Sequence, residues 1–206
     1  MKPLAIILAI FITLVAAPSQ AGDVPHTVAG FTLGQNIASL RDRLLMDTAL
    51  PLRYQEYLRE VEIAPQPGFK GGLIAYGDCA HPGTIVRIKL KYADASRAFY
   101  DALLARVERR FGKPTSYEGD PFHIVIDWKW SFIDADGQKI TLHLSHNDQD
   151  EEEKFGNSIK LTQLSALDEE RQCDLDRQPP EKTAPGDRLP PLRSMTKKDW
   201  QRFLPQ

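Results

Sequence analysis

Cysteine is scarce in this chain: only Cys79 and Cys173 occur among 206 residues, which leaves one possible disulfide. Charge of a single sign is missing too. The 26 Lys and Arg against 28 Asp and Glu give a net charge of −2, evenly mixed, without the basic footprint of a nucleic-acid-binding domain. No G-x-S-x-G elbow, glycine-rich phosphate loop or H-E-x-x-H pair is present, and the spacing of Ser, His and Asp selects no triad. Beyond the first 21 residues no apolar run is long enough to span a bilayer, and no fixed-period repeat is visible, although a helix followed by strands recurs loosely.

What is present begins with MKPLAIILAIFITLVAAPSQA. Lys2, the apolar run from Leu4 to Ala17, and the small residues Ser19 and Ala21 read as a secretory signal peptide over residues 1–21. A retained membrane anchor needs about 20 apolar residues, and this run is shorter and ends at Pro18. No cysteine follows the expected cleavage site, which argues against an acyl anchor. The mature chain is therefore expected to be soluble and periplasmic or secreted.

Export changes the meaning of the two thiols, because cysteines outside the cytoplasm tend to be oxidised and paired. A Cys79–Cys173 disulfide is expected, closing a loop worth up to about 4.7 kcal/mol on chain-entropy grounds. Cys79 lies two residues from His81, but Gly77, Pro82 and Gly83 mark a turn rather than a catalytic dyad, and two ligands do not make a metal site.

Along the chain, Ile37, Leu40 and Leu44 predict a short helix over 36–46, capped by Asn36 and stopped near Thr48 and Pro51. YLREVEIA at 57–64, KGGLIAYG at 70–77 and TIVRIKLKY at 84–92 predict strands. The last alternates Val86, Ile88, Leu90 and Tyr92 against Arg87, Lys89 and Lys91. Phe99, Leu103, Val107 and Phe111, with Tyr100 and Leu104, predict a longer helix over 95–111, with Asp94 as its cap and Gly112 as its stop.

FHIVIDWKWSF at 122–132 and KITLHLSH at 139–146 predict a hairpin around DADG. If Asp134 pairs with Gln138, Trp130 faces Leu142 and Lys129 faces His143. GNSIKLTQL offers a last strand with Ile159 and Leu161 inward. The expected core joins Trp128, Trp130, Phe132, Leu103 and Phe111.

The expected fold is α+β: an antiparallel sheet of about six strands packed by one long and one short helix, forming one domain over 22–173. A disordered proline-rich tail follows over 174–206, with a possible short helix at its end.

His123 and His143 fall on the outer hairpin face but not opposite one another, which disfavours a shared metal ion. The acidic runs at 134–137 and 148–153 lack the order of an EF-hand loop. No cofactor, metal or catalytic residue is assigned. Partner-binding candidates are the basic strip Arg87, Lys89 and Lys91, extended across the sheet by Lys129 and Lys139, and the tail residues Trp200, Phe203 and Leu204. The first also reads as a solvated face, and the second as a segment that folds back on its own domain.

Two fragments, GFTLGQNIASLRDRL and RVERRFGKP, resemble the opening and closing of the helix-plus-meander unit in small envelope proteins of the BamE type and in β-lactamase inhibitor proteins. The resemblance implies a non-catalytic binder or assembly factor with helices on one face of an antiparallel sheet. The lipobox cysteine of the lipoprotein members is missing. The function expected is that of an exported, non-enzymatic envelope protein binding a protein partner or small ligand, with a secreted hydrolase as the alternative.

Overall fold

Period-two alternation dominates the middle of this chain, and wherever it runs the backbone pairs into one sheet. The computed structural model describes residues 23–147, 156–178, 196 and 200–201. The signal-peptide segment, the acidic connection 148–155, most of the proline-rich tail, Phe203 and Leu204 lie outside the described residues.

The strands are β1 (Thr27–Val28), β2 (Phe31–Thr32), β3 (Leu44–Leu52), β4 (Gln55–Ile63), β5 (Phe69–Gly77) and β6 (Ile85–Tyr92), followed by β7 (Ser116–Tyr117), β8 (Val125–Ile133), β9 (Lys139–Asn147) and β10 (Gly156–Gln163). A 3-10 helix covers Ile37–Arg43, and the α-helices are α1 (Arg97–Phe111) and α2 (Leu164–Arg177). β1 and β2 form a small hairpin, and the other eight strands form one antiparallel sheet in the order β3-β4-β5-β6-β10-β9-β8-β7. A helix followed by a four-strand meander thus occurs twice, and the two meanders meet through their last strands, β6 and β10.

The fold is mostly β, which corrects the expected α+β arrangement of six strands with one long helix. The predicted helix over 36–46 is shorter and tighter, and its last apolar residue, Leu44, opens strand β3. Pro51 disguised that strand, yet proline is tolerated at a sheet edge, where an N–H need not pair. A register shift between Leu45 and Leu50 bends it, and Thr48 fills the irregularity, donating to the Leu45 carbonyl and accepting from Glu62 N–H. The two-residue β7 was also not anticipated, nor was α2, whose sequence LSALDEERQCDLDR carries too little apolar periodicity to announce a helix.

Elsewhere the alternation holds except at Val86, expected inward with Ile88 and Leu90, which a register shift in the β5–β6 pair turns toward Leu58, Ala75 and Ala166 instead. Trp130 faces Leu142, Lys129 faces His143, and Asp134 N–H donates to the Gln138 carbonyl. Strand β8 starts at Val125, however, because Asp120 accepts from Phe122 N–H and Val125 N–H and folds the preceding residues into a turn. Phe122 is consequently 82% exposed. Ser96, not Asp94, caps α1 by accepting from Phe99 N–H, while Asp94 accepts from Ser96 N–H.

One apolar cluster runs through both meanders. Ile74, Ile88, Leu90, Leu144, Leu161 and Trp130 are fully or almost fully buried beneath α1 and the N-terminal segment, with Trp128, Phe132, Leu103 and Phe111 packed against them. The Trp130 indole donates to the Gly112 carbonyl, locking the end of α1 onto the sheet. On the opposite face α2 covers only one end, through Ala166 against Leu58, Ala75 and Val86.

The disulfide ties that helix down: Cys79 and Cys173 are bonded, with Cα atoms 5.8 Å apart. Glu170, one turn before Cys173, is fully buried and accepts from the backbone N–H groups of Cys79 (2.7 Å), Ala80 (3.0 Å) and His81 (2.6 Å). His81 itself is exposed and meets Glu169 at 3.0 Å, a peripheral contact of the same clasp.

Candidate functional site

The sheet face not covered by α1 is polar because each of the strands β6, β10, β9 and β8 turns alternate residues there. On β6 these are Arg87, Lys89 and Lys91, and on β10 they are Ser158, Lys160 and Thr162. On β9 they are Thr141, His143 and Ser145, and on β8 Asp127, Lys129 and Ser131. Register places Lys89 opposite Lys160, Lys160 opposite His143, and His143 opposite Lys129. With neighbouring strands about 4.8 Å apart, four basic residues form a row of roughly 15 Å across the sheet.

Like charges directly opposite one another destabilise a sheet, so the row needs compensation. One end receives it. Lys129 donates to Glu118 at 2.8 Å, and His143 Nδ1 lies 3.1 Å from an oxygen of Asp127. The other end is less balanced: Arg87 reaches only the Gln55 side-chain oxygen at 3.5 Å, and Glu60 contributes a nearby carboxylate without an ion pair among the described residues. Lys89 and Lys91 hold interactions of their own.

A depression of about 420 Å³ opens at this less balanced end, lined by Glu60, Arg87, Lys89, His143, Lys160 and the hydroxyl residues Thr141 and Thr162, with Leu73, Ala75 and Leu164 as apolar wall. Burial pulls the Lys160 ammonium below its ordinary pKa, opposed by the charge of Asp127. Burial likewise lowers the Arg87 guanidinium and raises the Glu60 carboxyl, against the mutual attraction of these two groups. A second depression continues past Leu164 toward Lys129, Ser131 and Lys139.

The structure therefore brings Arg87, Lys89, Lys91, Lys129 and Lys139 onto one face, as strand parity predicted. It adds Lys160 and His143, which the same parity placed there without joining them to the basic strip. Trp200 is helical and 47% exposed. His123 lies before β8 with φ of +57° and stacks on Tyr117, and His146 is buried against Tyr100 with Nδ1 2.7 Å from Asn157. Asp134 accepts from Asp136 N–H and Gln138 N–H and thereby shapes its hairpin. Among the described residues no three His, Cys, Asp or Glu side chains group as a metal site, and no helix is long and apolar enough to cross a membrane.

Comparison of the chain with protein-family models, curated proteins and solved structures returns no match. The disulfide is consistent with an extracytoplasmic location.

Proposed function

We propose that this chain is an exported, non-enzymatic envelope protein that binds a protein partner on the half-covered face of its sheet. The observation that carries this reading is the row Lys89, Lys160, His143 and Lys129, assembled from four strands, in which the partly buried Lys160 has no hydrogen bond or ion pair among the described residues. A sheet face kept only for solubility gains nothing from setting basic residues opposite one another on neighbouring strands, whereas an acidic partner offsets their repulsion. The signal-peptide pattern supports an envelope or secreted setting, and the resemblance to non-catalytic envelope binders points the same way.

The test is capture from envelope extract with the mature protein and with the Lys89→Glu/Lys160→Glu pair. A specific partner retained by the wild type and lost by the folded double variant supports the reading. Equal capture by both removes this face from the interface.

A second reading, a secreted hydrolase, rests on Asp127 and His143. A carboxylate on Nδ1 orients an imidazole as a general base requires. Among the described residues no hydroxyl or thiol is hydrogen-bonded to His143 Nε2, so a nucleophile is lacking and water would have to serve. Turnover of an ester or amide panel that vanishes in His143→Gln would establish this reading over the first.

A further inference from the structure

The charge row alone describes a face, but the depression at its less balanced end has the parts of a receptor for one chemical group. Thr141 and Thr162 are each only 4% exposed and line its floor, and neither hydroxyl makes a hydrogen bond among the described residues. Both residues line the depression, so their hydroxyls are placed to donate to or accept from a guest seated there. Lys160, on the same face two residues before Thr162, lines the same depression, partly buried, without a hydrogen bond or ion pair among the described residues. Arg87 and Lys89 stand on the adjoining strand β6, paired in register with Thr162 and Lys160.

Arg87 from one strand, Lys160 from the next and two hydroxyls beside them match a carboxylate, which accepts about four hydrogen bonds and carries one negative charge. Glu60 on the rim is a like charge to such a guest. Its repulsion favours a position toward Lys160 and the threonines and disfavours a dense polyanion. The apolar wall of Leu73, Ala75 and Leu164 suits the methylene stem of an acidic side chain. A single Asp would present that stem less well than Glu.

We propose that this depression is the anchor pocket for a glutamate side chain of an acidic segment in the protein partner, seated between Lys160 and Arg87 over the Thr141 and Thr162 hydroxyls. The proposal rests on the reading of this face as a protein interface and names what the partner must bring. His143, 8% exposed and also lining the pocket, is held on its far side by Asp127 and closes the end toward β8.

The experiment titrates the full mature protein, disulfide intact, with a fluorescently labelled glutamate-rich peptide at low ionic strength, read by anisotropy. Lys160→Met is expected to weaken binding about tenfold or more, as for loss of a charge-assisted bond. Thr162→Val and Thr141→Val, which leave every charge in place, are each expected to weaken it by about fivefold. Arg106→Glu, on the exposed side of α1, serves as control, and circular dichroism and melting temperature monitor folding of each variant.

Loss with Lys160→Met but unchanged affinity in both threonine variants overturns the pocket while leaving a generally cationic interface standing. An equal loss with Arg106→Glu, or equal affinity for an aspartate-rich peptide, also overturns it. Inorganic phosphate binding more tightly than the peptide at the same residues would assign the pocket to a small oxyanion and overturn the proposal. If the peptide fails to bind while the Lys89→Glu/Lys160→Glu pair still abolishes partner capture, the pocket is wrong and the wider reading of the face survives.

Discussion

The carboxylate of Glu170 on α2 receives the backbone N–H of Cys79 at 2.7 Å, across 91 residues of sequence, and its neighbours Ala80 and His81 donate to the same side chain. A non-covalent clasp therefore sits beside the covalent one, and both hold α2 to the turn after β5.

Glu170→Ala is expected to cost at least about 3 kcal/mol, because three amide donors lose their acceptor. Glu170→Gln should cost less, since one oxygen still accepts. Gly77→Ala should mimic the alanine variant, because a Cβ there would collide with the Glu170 carboxylate. Urea denaturation with the disulfide intact measures all three, and an unchanged midpoint in Glu170→Ala would refute the clasp.

Removing the disulfide as the Cys79→Ala/Cys173→Ala pair should lower stability by about 2 to 5 kcal/mol. The protein exported with both cysteines, denatured without reductant, should titrate no free thiol. Two thiols per chain would show that the bond does not form in its native compartment.

Tyr100 is buried to 1% exposure, stacks on His146, and leaves its hydroxyl without a hydrogen-bond partner among the described residues. Tyr100→Phe keeps the ring and removes the orphan, so melting temperature should hold or rise, by about 1 kcal/mol in stability terms. A large loss would reveal a partner for the hydroxyl.

Burial pushes the Tyr92 hydroxyl from 10.0 up to about 12, where it packs between Phe69 and Phe99. A folded pKa raised above the unfolded one means that the protonated ring is favoured by folding. Its contribution is complete below pH 10 and lost as pH climbs through about 12, worth about 2 to 3 kcal/mol. Alkaline unfolding followed by phenolate absorbance should show this loss, and Tyr92→Phe should reduce it.

Lys160→Met should stabilise the free protein by a few tenths to about 1 kcal/mol, since it relieves a partly buried cation that solvent only partly screens. Thermal melts check the sign. A destabilised variant would mean that Lys160 already has a compensating partner, and the pocket would lose its unpaired cation.

Much of the sheet was legible because strand parity is a local property. DWKWSF, KITLHLSH and TIVRIKLKY from Arg87 onward alternate cleanly, so the hairpin register and the side of Arg87, Lys89 and Lys91 could be read without a structure, whereas parity groups Val86 with Ile88 and Leu90 and a register shift turns it under α2 instead. LLMDTALPL could not, because a bulge shifts its phase and Pro51 masks an edge strand. The helix α2 was missed for a related reason: its stability comes from Glu170, Cys173 and Ala166 meeting distant groups, and none of these contacts leaves a period in the sequence.

The sequence by itself determined which face of the cleanly alternating strands β8, β9 and β10 is apolar, which cysteines can pair and where α1 stops at Gly112, since each follows from alternation, composition or one residue's backbone freedom. Only the tertiary structure decided that β6 and β10 become neighbours. That pairing sets Lys89 against Lys160 and continues the row to His143 and Lys129. Strand order depends on long-range packing of the two meanders over one core, and the cationic pocket is its consequence.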